Sequence, residues 1–576
     1  MRTACGVLLL LLGLCLPAPA ASAKDFLRAE GRQIVDASGE PVLLRGFGLG
    51  GWMLQEGYML ELSEFGTQRV IRARIAELIG EDGATAFQQA WLDNHTTKAD
   101  IDALAAWGFN SVRLPMHYAL YTLPVEDEPV AGRQTWLEDG FRRTDELLAW
   151  VKANDMYLVL DLHAAPGGQG NDLNISDRDP SKPSLWDDPA NQDKMVALWR
   201  KLAERYRDEP HVAAYDIINE PNWGFASRED ANGCKEDANG PLRELQVRTT
   251  AAIREVDTRH IVIVAGNCWG NNYRGVFDAG LWDDNLVVSF HKYWNVTTRD
   301  SIADMLALRD RLDVPLWLGE TGENSNDWFA RTVALVEREG IGWAWWPLKK
   351  IGYNNPLQVL PNDGYRKLQA YWAGKGGKPT AEDAQAALMR FASHDVRFEN
   401  NAVHADVVDA LLRSPHSDRS RPFRDHVVGP AGGRIAAVDF DMGRNGVAYR
   451  DLVPSDLHVS DGGDWVAWNP VKAYRNDGVD LGGNADAGYF VASMQEGEWL
   501  KYTLRATAPG GHDLALETRG DGRGSVELNG RMVDAVSAGD GFRGLELLEG
   551  HNTLVLRAET GGFDLHALEF LPTGTR

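Results

Sequence analysis

Between Leu43 and Leu348 the chain alternates two kinds of hydrophobic pattern. Short, nearly continuous apolar or β-branched runs begin at Leu43 (LLRGFGLG), Ser111 (SVRLPM), Tyr157 (YLVLDLH), Ala213 (AAYDIINE), Ile261 (IVIVAG), Leu286 (LVVSFHKY), Pro315 (PLWLGE) and Gly342 (GWAWWPL). Runs of this kind are what strands buried on both faces of a parallel sheet look like. Between them apolar residues recur at helical spacing: Ile101, Leu104 and Ala105; Leu147, Leu148 and Val151; Met195, Leu198, Trp199, Leu202 and Tyr206. Eight repeats of strand then helix predict an α/β fold, a (β/α)₈ TIM barrel over residues 24–375. The alternative, an open doubly wound sheet, lacks a glycine-rich phosphate loop after its first strand.

The pattern changes after Trp372. The string GKGGKP breaks the helical period, and residues 380–414 read as two short helices around a polar turn. Residues 376–431 are expected to be a helical connector and linker, with a basic, solvated stretch at 415–427. From Gly432 the runs GEWLKYTLRA, HDLALETRG, GSVELNG, HNTLVLRAE and FDLHALEFL are separated by glycine and aspartate. Regular short strands with such turns predict a separate all-β sandwich of jelly-roll type over residues 432–576.

The chain has 576 residues and a formal net charge of −24. An acidic surface repels phosphate, which excludes nucleic acid and anionic membrane as expected partners and leaves a neutral ligand compatible. Arg2, an apolar run from Val7 to Leu16, then Pro17 and small residues ending in Ala23 form a secretory signal, residues 1–23, too short to span a bilayer. A lipoprotein reading at Cys15 is disfavoured by Leu14. The mature protein is expected outside the cytoplasm, extracellular or periplasmic, and free of the membrane. Only Cys234 and Cys268 then remain, and the sequence leaves a disulfide and two unpaired thiols equally open.

In a barrel the reactive groups project from the C-terminal strand ends. Polar residues that close the apolar runs there are Arg113, His163, Asn219, Glu220, His291, Tyr293, Glu320 and Trp346. A lone carboxylate at such a position is ordinarily a salt-bridged structural acid, and either histidine or Trp346 could be a core group. Two carboxylates, on the fourth and seventh strands, face each other across a barrel, and burying charge without a partner is costly. Such a pair suits glycoside hydrolysis, where one group protonates the leaving oxygen and the other attacks the anomeric carbon or activates water. A zinc site built from the histidines and glutamates lacks matching ligand spacing, so no metal is expected in the barrel and no cofactor for catalysis.

The strings RGFGLGGW, GFNSVRLPMHY, LVLDLHAAPGG, YDIINEPN, SFHKYW, LGETG and WAWWPLK, in this order, resemble glycoside hydrolase family 5 over roughly residues 25–372. That resemblance implies Glu220 as acid/base and Glu320 as nucleophile of a retaining double displacement. It places Asn219 at the sugar 2-hydroxyl, Arg113 and Tyr293 around the nucleophile, His163 and His291 in sugar binding and the acid/base surroundings, and Trp346 as the −1 platform. The 20 tryptophans exceed what a core of this size needs, and flat aromatic faces suit pyranose rings. Trp52, Trp223, Trp269 and Trp294 are the candidates for outer subsites. The loop EDANGCKEDANG, residues 229–240, does not fit an EF-hand and reads as bordering the cleft.

The strings VDFDMGRNGVAYRD, YRNDGVDLGG, GYFVASMQEGEWLKYTL and GGFDLHALEF resemble carbohydrate-binding module family 6. That family sandwiches a sugar between a tyrosine and a tryptophan near an asparagine, and the counterparts here are Tyr489, Phe542 and Asp564. Two of the three differ. Asp439 and Asp441 resemble that family's structural calcium region and equally fit ordinary turn acids.

These readings converge on a secreted retaining hydrolase of a β-1,3- or β-1,4-linked β-glucan, a polysaccharide or oligosaccharide. The C-terminal sandwich is expected to capture polymer and take no part in bond cleavage. The alternatives are a mannan- or xylan-active enzyme on the same scaffold and a non-catalytic glycan-binding protein, the latter opposed by the presence of both glutamates.

Overall fold

The computed structural model describes residues 24–227, 229–537 and 541–574. The signal sequence read at residues 1–23 lies outside them, and no described helix is long and apolar enough to cross a membrane. Among the described residues, eight parallel strands close into a barrel. They are β1 (Arg45–Gly48), β2 (Ser111–His117), β3 (Tyr157–Ala164), β4 (Val212–Asp216), β5 (Ile261–Val264), β6 (Leu286–Lys292), β7 (Leu316–Gly322) and β8 (Gly342–Trp346). Each run picked out by its continuous hydrophobicity contributes one of them.

The alternation of side chains along each strand sorts the barrel interior into layers. Val159, Ile261, Ile263, Val287 and Trp317 fill the lower layer with apolar volume. Two residues beyond Val159 on the same face stands Asp161, and two further stands His163, so β3 carries the interior from apolar to polar as it rises. Outside, residues such as Leu104, Leu147, Val151, Leu198, Trp199 and Leu202 pack the helices onto the strands in one large buried cluster. Helix starts follow from capping: Thr67 accepts from Val70 N before Gln68–Asn94, and Ser325 accepts from Trp328 N before Asn326–Arg338.

One repeat departs from the expected alternation. After β5 the described chain forms only the single turn Asn267–Gly270, with Cys268 and Trp269 in the left-handed region at φ 54° and 53°. Cys234 and Cys268 form a disulfide. It ties the loop carrying the DANG repeat to this turn, which replaces a helix as the anchor of the β5 exit.

The chain after Trp372 forms helices Ala381–Arg390 and Ala405–Leu412 against the barrel, then a region of predominantly antiparallel sheets. Its strands are β9 (His426–Val428), β10 (Gly433–Ala436), β11 (Leu481–Asn484), β12 (Gly488–Met494), β13 (Trp499–Ala506), β14 (Gly510–Gly520), β15 (Arg523–Leu528), β16 (Arg531–Ser537), β17 (Phe542–Leu547), β18 (Gly550–Thr560) and β19 (Phe563–Pro572). Among the described residues, one sheet runs β9-β13-β18-β15-β16 with Tyr449–Arg450 on β13, and the other runs β11-β12-β19-β14-β17 with β10 on β19. Leu500, Tyr502, Leu504, Leu554 and Leu556 of the first sheet and Leu514, Leu545, Leu565, Leu568 and Phe570 of the second share one core.

The two parts meet through a dense buried polar junction. Asn476 donates from Nδ2 to Asn324 O at 2.9 Å and to Asn326 Oδ1 at 3.0 Å, while Asp406 Oδ2 accepts from Asn476 N at 2.8 Å and from Asn326 Nδ2 at 2.7 Å. Asn324 and Asp456 pair reciprocally, Nδ2 to O at 2.7 Å and N to Oδ1 at 3.1 Å. Asn324 and Asn326 directly follow β7, so the C-terminal sheets hold the loop that leaves the strand carrying Glu320.

Candidate active site

At the C-terminal end of the barrel, Arg113 forms the hub. It donates from Nη1 to Glu320 Oε2 at 2.9 Å, from Nε to Asp216 Oδ2 at 3.1 Å and from Nη2 to Asn219 Oδ1 at 2.7 Å, and its Nη2 lies 3.2 Å from Asp161 Oδ1. Burial alone would lower the guanidinium pKa, but the charges of Asp161, Asp216 and Glu320 raise it, so it stays a cation. Three carboxyl groups share this one cation. Burial pushes both aspartates up to about 7, with Arg113 opposing the rise.

Glu320 receives a second donor, Tyr293 Oη to Oε1 at 2.9 Å. Burial raises its pKa, as does the charge of Glu220, while His291, Arg113 and His163 oppose the rise. Both of its oxygens therefore accept from fixed donors, the environment of a carboxylate meant to be charged. Glu220 sits differently. Among the described residues its side-chain partner is His291, Nδ1 to Oε1 at 2.5 Å, and burial, then the nearby charge of Asp172, push it up to about 8. His291 is itself pushed down by burial, so burial favours the neutral form of both partners in this contact.

Glu220 stands at φ 42°, in the left-handed region, where a side chain with a Cβ is strained. Asn222 holds this turn by donating from Nδ2 to Glu220 O at 2.9 Å, and Gln169 Nε2 donates to Asn219 O at 2.9 Å. One oxygen of Glu220, one of Glu320 and a ring nitrogen of His291 lie within 4.8 Å of one another. The three residues are of metal-binding types, but Arg113 and Tyr293 take both oxygens of Glu320 and His291 Nδ1 takes Oε1 of Glu220. The set fits proton transfer better than cation binding.

His163 bonds through Nδ1 to Asp161 Oδ2 at 2.8 Å and lies 3.2 Å through Nε2 from Asn219 Nδ2, and its pKa is pushed down to about 3 by burial. Trp346 stacks on it at 5.0 Å with an interplanar angle of 8°, and donates from Nε1 to Tyr58 Oη at 3.0 Å. The glycines of the β1 motif explain this ring's place: a Cβ on Gly48 would meet Trp346 at 2.4 Å, and one on Gly50 at 2.8 Å. The string RGFGLGGW is glycine-rich here because the indole lies against its backbone.

These groups line a cleft of about 510 Å³ that contains Glu220, Glu320, His163, His291, Tyr293 and Trp346, a size suited to a small organic ligand. A neighbouring cavity of about 430 Å³, bordered by Arg69, Tyr118 and Arg178, contains neither glutamate. Among the four outer tryptophans, Trp269 and Trp294 line the cleft. Trp52 does not: it is 2% exposed and donates from Nε1 to Leu92 O at 2.8 Å, a core residue rather than a substrate contact. Trp223 is half-buried beneath the Arg178 guanidinium at 5.3 Å and does not line the cleft. The DANG loop does not line it either; through the disulfide it supports the turn that presents Trp269.

Several cleft residues escaped the sequence reading. Glu56, Asp172 and Glu323 come from loops without hydrophobic period, and Tyr58 from the single 3₁₀ turn Gly57–Leu60. Glu56 lies 4.0 Å from His163 Nε2, and burial, reinforced by Glu320 and Glu323, raises its pKa well above the ordinary range. Its position four residues after the RGFGLGGW string was the available signal. Val459, from the helical turn His458–Asp461 of the C-terminal region, also lines the cleft, so the region read as a separate domain contributes to its wall.

The triad read in the C-terminal region does not assemble into a binding face. Phe542 is 2% exposed in the core between the sheets. Tyr489 packs partly into the same core with its ring 5.2 Å from Tyr474, and Asp564 accepts from Ser493 N at 2.9 Å. The two acids read as a calcium region both have protein partners. Asp441 accepts from Thr503 N at 2.8 Å and from the hydroxyls of Thr503 and Ser420 at 2.7 Å, and Asp439 accepts from the Tyr474 hydroxyl. Asp441 thus gives both of its oxygens to protein donors.

Two carboxyl groups this close over an open cleft at a barrel mouth define a class, the glycoside hydrolases. The model of the cellulase family, glycosyl hydrolase family 5, matches residues 76–352. A β-xylosidase of Phanerodontia chrysosporium is 31% identical over 377 residues, 60% of this chain and 75% of that protein. Endoglucanase C of Acetivibrio thermocellus is 30% identical over 207 residues, 36% of this chain and 53% of that protein. A probable glucan 1,3-β-glucosidase A of Aspergillus niger is 29% identical over 207 residues, 35% of this chain and 47% of that protein. The chain thus spans about half the length of the last two. It belongs to glycosyl hydrolase family 5.

Proposed function

We propose that the protein is a secreted, retaining hydrolase of a β-glycan, with Glu220 as acid/base and Glu320 as nucleophile. The observation that carries this reading is the separation of at most 4.8 Å between an oxygen of each glutamate. Retaining enzymes hold their carboxyl groups roughly 5–5.5 Å apart, whereas inverting ones need roughly 6.5–9.5 Å to admit a water. Their unequal surroundings support the division of roles, since Glu320 is clamped by Arg113 and Tyr293 while Glu220 keeps its proton.

In the first step Glu320 Oε attacks the anomeric carbon as Glu220 gives its proton to the departing glycosidic oxygen. In the second, Glu220 removes a proton from water, which attacks the same carbon and releases Glu320. In this reading Asn219, held between Arg113 and His163, bonds the sugar 2-hydroxyl, and Trp346, which lines the cleft, offers its ring to the sugar beside the cleaved bond. The relatives' names support β-linked glucose or xylose polymers as substrates, and the signal read at residues 1–23 supports export. Hydrolysis of a panel of β-1,3-, β-1,4- and mixed-linkage glucans, xylan and mannan, with NMR of the first-formed anomer, tests the reading. Release of the β-anomer from at least one polymer is expected; first-formed α-product, or no hydrolysis of any polymer, would contradict it.

A further inference from the structure

The C-terminal sheets reach the barrel mouth through residues 452–466, which no catalytic role requires. This segment concentrates exposed apolar side chains: Leu452 and Val453 are each 49% exposed, Val459 58% and Trp465 49%. Soluble proteins scatter such residues singly, and a contiguous group marks a contact surface. Val459 lines the catalytic cleft. Its neighbours Leu452, Val453, Pro454, Leu457, Trp465 and Val466 line a groove of about 510 Å³.

The segment is fixed relative to the catalytic pair. Val459 N donates to Trp294 O at 3.1 Å, Val296 N donates to Ser460 Oγ at 2.7 Å, and the His458 ring lies 5.6 Å from that of Trp294. His458 Nδ1 meets Asp456 Oδ1 at 2.8 Å, and Asp456 is locked to Asn324, four residues beyond Glu320. Trp294 and Val459 thus form a join where the cleft wall passes from the barrel to the C-terminal sheets. Trp465 has Lys472 Nζ 4.6 Å from its ring centroid and Trp468 edge-on at 6.2 Å, which holds the indole in place while half of it stays open.

We infer that this groove continues the catalytic cleft and holds further sugar units of the same β-glycan chain, with Trp465 as their stacking face. The inference rests on the proposed glycan-hydrolase function. The occupant follows from adjacency: His458 lines the groove and the next residue, Val459, lines the cleft, so a ligand that fills both is a chain that reaches the two glutamates. The chemistry fits, because Leu452, Val453, Leu457 and Trp465 offer apolar surface to pyranose C–H faces while Ser455, Asp461 and Asp464 on the same rim offer polar groups to the hydroxyls.

The test compares kcat/KM of the full-length wild type, Trp465→Ala and Trp465→Phe on linear oligosaccharides of the cleaved linkage, from disaccharide to hexasaccharide. The wild type should gain kcat/KM with chain length. Trp465→Ala should lower the hexasaccharide-to-disaccharide ratio about fivefold, the size expected for one lost aromatic contact, and Trp465→Phe should restore most of it. An unchanged ratio in a folded Trp465→Ala protein overturns the inference, as does an equal loss at every length or a wild type indifferent to length. If Trp465→Ala does not fold, Val453→Arg, which fills the groove from an exposed position, must lower the same ratio or the inference fails. A wild type that hydrolyses none of the polymers overturns the proposed function, and the inference with it.

Discussion

The barrel mouth and the C-terminal sheets carry the same kinds of residue, aromatic rings and acids on short strands, yet they use them in opposite ways. In the barrel, Arg113, His291 and Glu320 stand on β2, β6 and β7, Asn219 and Glu220 follow β4, and the five converge within hydrogen-bonding reach. In the sheets, Phe542 turns inward to fill the core, and Asp441 spends its oxygens on Thr503 and Ser420. The difference lies in topology. A closed parallel barrel brings all its strand ends to one mouth, while a two-sheet sandwich has two faces per strand and gathers its ends at two rims.

The sharpest way to break this comparison is to remove the groups at the mouth. Glu320→Gln should lower kcat at least about 10⁴-fold, as loss of a nucleophile does, and Glu220→Gln about 10²–10⁴-fold, as loss of a general acid does. Thermal unfolding should confirm that both variants stay folded, and a variant within about tenfold of wild type would remove that residue from its role. In the sheets the effects should appear in stability instead. Phe542→Ala should cost about 3–5 kcal/mol in denaturant unfolding of its region, whereas Tyr489→Ala should cost less because its ring is only partly buried.

The junction between the regions sharpens the comparison further. Asn476→Ala leaves Asn324 O and Asn326 Oδ1 each short of a donor in a buried setting, so about 1–3 kcal/mol of stability should be lost. Because those residues follow β7, kcat should fall as well; stability loss without a change in kcat would separate the junction from the site. The smallest effect concerns pH. Glu220 must be protonated to act as an acid, so kcat/KM should fall as pH rises through about 8. Asp172→Asn removes a negative charge that raises the Glu220 pKa, which should move this basic limb to lower pH.

How much of this was legible in the sequence follows from the same contrast. Continuous apolar runs marked the barrel strands, and a polar residue closing such a run has little choice but to face the mouth, as Arg113 and His163 do. Trp52 misled because a tryptophan near a strand end can equally turn outward under a helix, where its indole meets Leu92 O. Glu56 and Asp172 lie in loops whose paths carry no periodic signal. Val459 was beyond reach, since nothing local in the sequence brings it beside Trp294.

The central claim is that Glu320, not Glu220, attacks the sugar. A 2-deoxy-2-fluoro glycoside with a good leaving group slows the second step more than the first, so the covalent intermediate of a retaining enzyme accumulates. Peptide mass spectrometry of the trapped wild-type protein should place one sugar on Glu320. A sugar on Glu220, or an enzyme that turns over its natural substrate yet never becomes labelled, would contradict the account.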